Sequence, residues 1–362
     1  MIDLPVAQPA KVTSLSPTAA NDLLACPYRL AWRLDPRFKS LRRPSPWSSL
    51  GVVAHAVTED VAKGLLGDAT CLEEARALVE TSWSKHEAEA QAQLGARWTP
   101  SLPPPPAEWP GYHLVRARTI RRALREFGST RSAGASASAP IVETSFEATD
   151  IGLSGRPDRV EGAPGDRCVV DLKTGLSQEG PTDSQRLQLL VYCQLVAAAT
   201  GDMPTRVAIE DPSGRRWEER VSAGEVAEVV SKVQEARGRY EASIANLAST
   251  ATPSPDTCRR CSYRLVCGPY WKALETTWEH GSVAGAIVDL RSNKQGATAM
   301  IDAASPIDAR GGGWLVTAIP PGHELGGEPV TMVDAEVTGA ERHLRWRWST
   351  LAWKPEHDEP RL

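Results

Sequence analysis

Gly155-Arg156-Pro157-Asp158-Arg159-Val160 and, eight residues further on, Val169-Val170-Asp171-Leu172-Lys173-Thr174-Gly175 are the stretches that decide how this chain reads. The first places a carboxylate, Asp158, in a turn bounded by glycine and proline. The second is an apolar run that ends on charge. Residues two apart on a strand share a face, so Asp171 and Lys173 project to one side with the Leu172 backbone carbonyl between them. Two carboxylates and a carbonyl are hard oxygen donors, the set that suits Mg2+ or Mn2+. An ammonium beside them can meet an attacking water or the charge developing on a phosphate. Asp-x-Lys alone is common on exposed strands, and it is Asp158, one strand earlier, that makes the set specific. Glu143, in the preceding strand, points either into this site or into solvent and is left unassigned.

Working outward, 141–149, 152–160 and 168–172 read as short consecutive strands separated by Gly, Pro and Asp. A helix over 184–199 follows, then a strand pair at 206–210 and 215–221 around Pro212-Ser213-Gly214, and a long helix over 224–247. Upstream, Ser16-Pro17 forms a helix start, with further helices around Val52–Glu59, 72–94 and 112–127. Residues 99–110 (TPSLPPPPAEWP) read as a stiff linker or surface loop and 129–140 as a flexible connection. Strands flanked by helices on both sides predict an α/β core. After Cys267 the texture changes to five strand candidates, 286–291, 298–303, 314–319, 330–337 and 344–353. They predict a small OB-like β-barrel, with a division into units 1–278 and 279–362. In the last candidate Trp346 and Trp348 alternate with Arg345 and Arg347, as barrel core or as base-stacking platforms.

The ordered set Gly51-x3-His55, GRPD, VVDLKTG and Gln188-x3-Tyr192 resembles the PD-(D/E)XK nucleases of the RecB-like branch, which include AddB-type domains and CRISPR-associated iron–sulfur nucleases. The resemblance spans Leu15 to Tyr270. It implies a restriction-endonuclease-like core with a helical cap, acting on DNA. Asp158 and Asp171 are then metal ligands, Lys173 the catalytic lysine, and His55 an extra metal ligand on the preceding helix. Gln188 and Tyr192 become the helical pair that borders the site and contacts DNA. By residue type alone, His55 is more often an interior histidine than a ligand, and Gln188 with Tyr192 an ordinary i, i+4 packing pair.

Seven cysteines are present. Cys258-x2-Cys261-x5-Cys267 supplies three thiolates, and Cys26 in CPYR is the best fourth. Four thiolates suit tetrahedral zinc as well as a [4Fe–4S] cluster, and the resemblance implies iron–sulfur. Such a centre would tie the first helix to the end of the nuclease region, a structural clasp rather than a redox site. Cys71, Cys168 and Cys193 have apolar neighbours and read as buried free thiols.

Charge and composition narrow the rest. Net charge is −4, so a nucleic-acid site must be local. Two basic groups qualify: Arg29, Arg33, Arg37, Lys39, Arg42 and Arg43, and Arg116, Arg118, Arg121, Arg122 and Arg125. Arg118, Arg122 and Arg125 share one helical face and are either phosphate contacts or a solvated surface. No export signal and no apolar run near the roughly 20 residues of a membrane helix is seen, which predicts a cytoplasmic protein without membrane contact. There is no GxxxxGK[ST] loop, so a helicase would be a separate repair or defence partner. The activity expected is that of an exonuclease on DNA ends or single strands, in repair, recombination or phage defence. The alternatives are a CRISPR spacer-acquisition nuclease and a non-cleaving DNA-binding iron–sulfur module.

Overall fold

A computed structural model describes residues 4–8, 10–98, 102–130, 141–142, 144–174, 180–274, 278, 281–305, 313–321, 323, 325, 329–339 and 342–353. Glu143, Gly175 and, of the connection expected over 129–140, residues 131–140 lie outside the described residues, while 129–130 end the fifth helix. Helices come first: α1 (Pro17–Ala25), α2 (Pro27–Leu34), α3 (Pro46–Ala62), α4 (Leu72–Trp98) and α5 (Tyr112–Thr130). The Ser16 hydroxyl accepts from the Ala19 N–H and Pro17 fills the first turn, as the Ser-Pro pair predicts. Ser45 and Ser48 cap α3 reciprocally. In the proline-rich segment before α5, Trp109 is buried and donates to the Pro104 carbonyl at 3.0 Å, so this is a packed loop.

The middle of the chain is β1 (Ile141–Val142), β2 (Phe146–Ala148), β3 (Leu153–Gly155), β4 (Arg159–Glu161), β5 (Cys168–Leu172), α6 (Asp183–Thr200), β6 (Arg206–Glu210), β7 (Arg216–Arg220) and α7 (Ala223–Ala242). A five-stranded sheet has the order β1-β4-β5-β6-β7, with β2 and β3 set apart as a hairpin. Only β5 and β6 run parallel, Asp171 opposite Ile209 and Leu172 opposite Glu210, which is why they need the α6 crossover. Thr182 and Gln185 cap α6 reciprocally, and Gly201, in the left-handed region at φ 71°, ends it. Leu189, Leu190, Leu195 and Val196 of α6 join Val169, Val207 and Ile209 in the main core. A Cβ on Gly155 would lie 3.0 Å from both Tyr192 and Leu195, so this glycine lets β3 lie directly on α6.

The opposite sheet face is finished with charge. Cys168, Val170 and Ala208 form a small buried cluster. Around it Arg216 pairs with Glu161 at 2.8 Å and with Glu218 at 2.7 Å, and Arg206 reaches Glu218 at 2.7 Å. This lattice also anchors α5. Arg122 pairs with Glu210 and Glu126, each at 3.0 Å, Arg125 donates to the Ser213 carbonyl, and Arg118 stands 4.0 Å from Asp211. The Arg118, Arg122 and Arg125 face is therefore a tether to the sheet and not a free phosphate surface. In the earlier basic group, Arg29 and Arg33 both pair with Asp22, and Arg37 with Asp35.

The remainder comprises α8 (Pro255–Arg259), α9 (Gly268–Ala273), β8 (Val283–Asn293), β9 (Gly296–Ser305), β10 (Gly313–Ile319), β11 (Pro329–Val333), β12 (Glu336–Val337), β13 (His343–Arg345) and β14 (Leu351–Trp353). They form one seven-stranded sheet, β12-β13-β10-β9-β8-β11-β14. Five strands closing as an OB-like barrel were expected. The count differs because two candidates bend: 330–337 breaks at Asp334, held at φ 62°, and 344–353 breaks between Arg345 and Leu351. Among the described residues no ladder joins the end strands β12 and β14. The sheet has its own cluster, including Ile301, Val316, Met332, Leu344 and Trp346, while Val333, Leu351 and Trp353 belong to the main core. Trp348 meets Trp98 edge-on at 5.0 Å, so both alternating tryptophans are packing residues. Among the described residues no helix is long and apolar enough to cross a membrane.

Candidate active site

The ladder between β4 and β5 sets Arg159 opposite Val170, which brings Asp158 to the end of β5. There its Oδ2 accepts from the Leu172 N–H at 2.6 Å. Asp171, alternating with Val169 on the α6 side of the sheet, is 3% exposed. Lys173 continues the ladder through its N–H to the Glu210 carbonyl at 2.9 Å, and its Nζ pairs with Asp171 Oδ2 at 2.7 Å. From α3, 117 positions back, His55 Nε2 donates to the Leu172 carbonyl at 2.8 Å, since a carbonyl can only accept. Its Nδ1 stands 3.5 Å from Asp158 Oδ1. From α6, Gln188 Nε2 donates to Asp171 Oδ1 and to the Tyr192 hydroxyl, both at 3.3 Å. Seven positions singled out in the sequence thus meet in one place: His55, Asp158, Asp171, Leu172, Lys173, Gln188 and Tyr192. Tyr192 is buried behind Asp171.

Electrostatics separate the two carboxylates. Burial pushes the Asp171 carboxyl up to about 6; the Lys173 ammonium opposes that rise and the Asp158 charge adds to it. For Asp158 burial also acts upward, but the hydrogen bond and charge of His55, the Leu172 N–H and Lys173 outweigh it and hold the group below its ordinary value. His55 is held above its ordinary value: burial acts against it, and Asp158 and Asp171 outweigh burial.

Of these groups His55, Asp158, Leu172 and Lys173 line an open cleft of about 1090 Å3, solvent mouth included, whose other walls include Trp47, Glu59 and Arg156. The sequence reading did not single out these three. A period-four step links Trp47 to Gly51 and His55, and it was the available signal. By donor type, two carboxylates, a carbonyl and an imidazole suit a hard divalent ion. Asp171 Oδ2 is buried, its contact being the Lys173 ammonium at 2.7 Å. Among the described residues no three His, Cys, Asp or Glu side chains are grouped so as to hold one metal ion.

Cys26, between α1 and α2, lines one pocket with Cys258, Cys261 and Cys267, joined by Arg29 and Arg264. Burial pushes the Cys261 thiol up to about 11 and Cys267 well above its ordinary value. The strand β11 reaches this segment, Thr331 donating to the Leu265 carbonyl at 2.8 Å. Cys168 and Cys193 are buried as expected; Cys71 is exposed, because it precedes α4 at the surface.

A mixed α/β core whose central strand delivers an Asp-x-Lys pair beside a second aspartate defines a nuclease core. The chain belongs to the PD-(D/E)XK nuclease superfamily, whose profile matches residues 14–268. No curated protein matches the sequence. Among solved structures it is similar to a candidate exonuclease from Eubacterium rectale, with 15% identity over 65% of this chain and 82% of that one and a TM-score of 0.35. SSO0001 follows, with 14% identity over 59% and 97% and a TM-score of 0.28. LHK-Exo in complex with dAMP shows 15% identity over 56% and 95% and a TM-score of 0.23. At these TM-scores the likeness carries no argument about the site.

Proposed function

We propose that the chain is a Mg2+- or Mn2+-dependent deoxyribonuclease of the RecB-like branch, an exonuclease acting on DNA ends or single strands in repair, recombination or phage defence. The observation that carries this reading is the meeting of Asp158, Asp171 and Lys173 at one cleft with His55 from α3. Asp158, Asp171, the Leu172 carbonyl and His55 would hold the divalent ion, which when bound supplies an activated water and neutralises phosphate charge. Lys173, half-exposed beside Asp171, orients the attacking water and meets charge that develops on the phosphate. Gln188 fixes the rotamer of Asp171, with Tyr192 behind it; their expected contact with DNA is kept for Gln188, the more accessible of the two.

We read Cys26, Cys258, Cys261 and Cys267, which line one pocket, as ligands of a [4Fe–4S] cluster, the preference over zinc resting on the family resemblance. Its donors are soft sulfur, and Arg29 and Arg264 would offset an anionic cluster. We keep 1–278 as the nuclease unit with this clasp and 279–362 as an added sheet, working in the cytoplasm with any helicase supplied by a separate protein.

End-labelled single-stranded, duplex and circular DNA, incubated with Mn2+ and the wild type, Asp171→Ala or Lys173→Ala, tests the enzyme reading. Degradation by the wild type alone is expected. No degradation, or equal degradation by the variants, overturns it. Anaerobic purification with iron and sulfide analysis tests the cluster, and a colourless protein with stoichiometric zinc contradicts it.

A further inference from the structure

Among the twelve tryptophans, eleven are buried or half-buried, and Trp47 alone stands exposed, at 45%. Leaving so large an apolar ring in water forfeits the burial that the other eleven obtain. The exposed ring lies in the wall of the cleft that holds His55, Asp158 and Lys173, with Val52, 62% exposed, beside it.

Its position on α3 has a register. Trp47, Gly51 and His55 recur every fourth residue, so they share a stripe. Eight residues at about 1.5 Å of rise set Trp47 roughly 12 Å along the axis from His55, about three to four nucleotide steps at the 3.4 Å stacked spacing. Gly51, between them, adds no side chain to the stripe. The ring is also braced. Gly111 adopts φ 77°, a left-handed conformation that favours glycine, and a Cβ there would come within 3.2 Å of the Trp47 ring. Glycine at 111 lets the indole rest against the backbone, which limits its motion.

Charge leaves a role for such a ring. In the cleft wall Arg156 and Lys173 are matched by Glu59 and Asp158, and the chain as a whole carries −4. A polyanion drawn into this cleft therefore needs a contribution beyond Coulomb attraction. Base stacking on an aromatic face supplies it and is open to any base that is not already stacked in a duplex.

We propose that Trp47 is a base-stacking platform that receives the unpaired strand about three to four nucleotides from the scissile phosphate and so selects single-stranded ends. This rests on the nuclease reading above, and the test separates the two. The full-length protein in EDTA is titrated by fluorescence anisotropy with a labelled oligothymidylate and with a wholly abasic strand of the same length. The wild type, Trp47→Ala and Trp47→Phe are compared. Trp47→Ala should lose at least about fivefold in affinity for the base-bearing strand and nothing on the abasic strand, with Trp47→Phe between. In Mn2+, the preference of kcat/KM for a single strand over a blunt duplex should fall by the same factor. Equal affinity of Trp47→Ala and wild type for oligothymidylate overturns the proposal, as does an equal loss on both strands or a wild type that does not distinguish them. If no protein digests DNA, the nuclease reading fails, while the titration still decides the role of Trp47.

Discussion

The aspartate–lysine cleft and the cysteine pocket are both assembled from distant parts of the chain, yet they are finished in opposite ways. In the cleft the functional groups hold one another. His55 bonds the Leu172 carbonyl, Asp158 the Leu172 N–H, and Lys173 and Gln188 hold Asp171. The four thiols instead face an apolar space in which burial pushes Cys261 and Cys267 up, away from the thiolate. A site of the first kind keeps its shape without an ion. On the proposed reading, a site of the second kind would be completed by the centre it binds, and binding would then be folding free energy.

The largest break in that comparison comes from the cleft. Lys173→Ala should lower the rate of DNA hydrolysis by about 10²- to 10⁴-fold. Its thermal midpoint should stay within a few degrees of wild type, because removal of the ammonium leaves the hydrogen bonds around Leu172 in place. Calorimetry alongside the digestion assay checks both halves. A large fall in melting temperature would mean that the cleft depends on its charges for folding.

The second prediction runs the other way. Cys261→Ala should cost stability first, on the order of 3 kcal/mol or about 5 °C in thermal midpoint, with activity following as α1 and α2 come loose. Cys71→Ala, at an exposed position, should change neither. Equal melting of the two variants would remove the clasp from the argument.

What sequence shows and hides follows the same division between local and distant relations. Asp171 and Lys173 were legible because strand periodicity is local. His55 was legible only through an ordered motif, since its partner carbonyl lies 117 residues on. The arginine face of α5 misled for that reason: Arg118, Arg122 and Arg125 spell a phosphate surface until the chain returns Asp211, Glu210 and Ser213 to them. The seven-stranded sheet was counted as five strands because a bend such as that at Asp334, a non-glycine residue at positive φ, leaves no compositional mark. Trp47 escaped because exposure is a tertiary property, and twelve tryptophans look alike in one dimension.

The pH response sharpens the view of the cleft as self-held. Asp171 has a folded value of about 6 against an ordinary 3.8, so the folded state binds the extra proton between those values. A raised value stabilises the fold fully below the lower figure, and that contribution is lost as pH rises through about 6. In EDTA the wild type should therefore lose stability relative to Asp171→Asn between pH 4 and about 6, and hold a constant difference above. The loss is on the order of 2–3 kcal/mol. Denaturant titrations of both proteins across that range measure it, and a difference that is flat or grows with acid would show that Lys173 offsets the burial of Asp171 completely.

The smallest effect should come from Gln188, and it separates positioning from DNA contact. At 3.3 Å to Asp171 the amide makes a long hydrogen bond to a charged group, worth about 1 kcal/mol, so Gln188→Ala should slow hydrolysis roughly fivefold. If the amide acts by fixing Asp171, the loss falls on kcat and on the Mn2+ concentration needed for half-maximal rate, while KM for DNA is unchanged. Tyr192→Phe removes a hydroxyl that bonds Gln188 and should move the same two quantities by less. A rise in KM for Gln188→Ala at constant kcat would return this residue to the DNA-contacting role, because an amide that only braces a carboxylate has no means of weakening substrate binding alone.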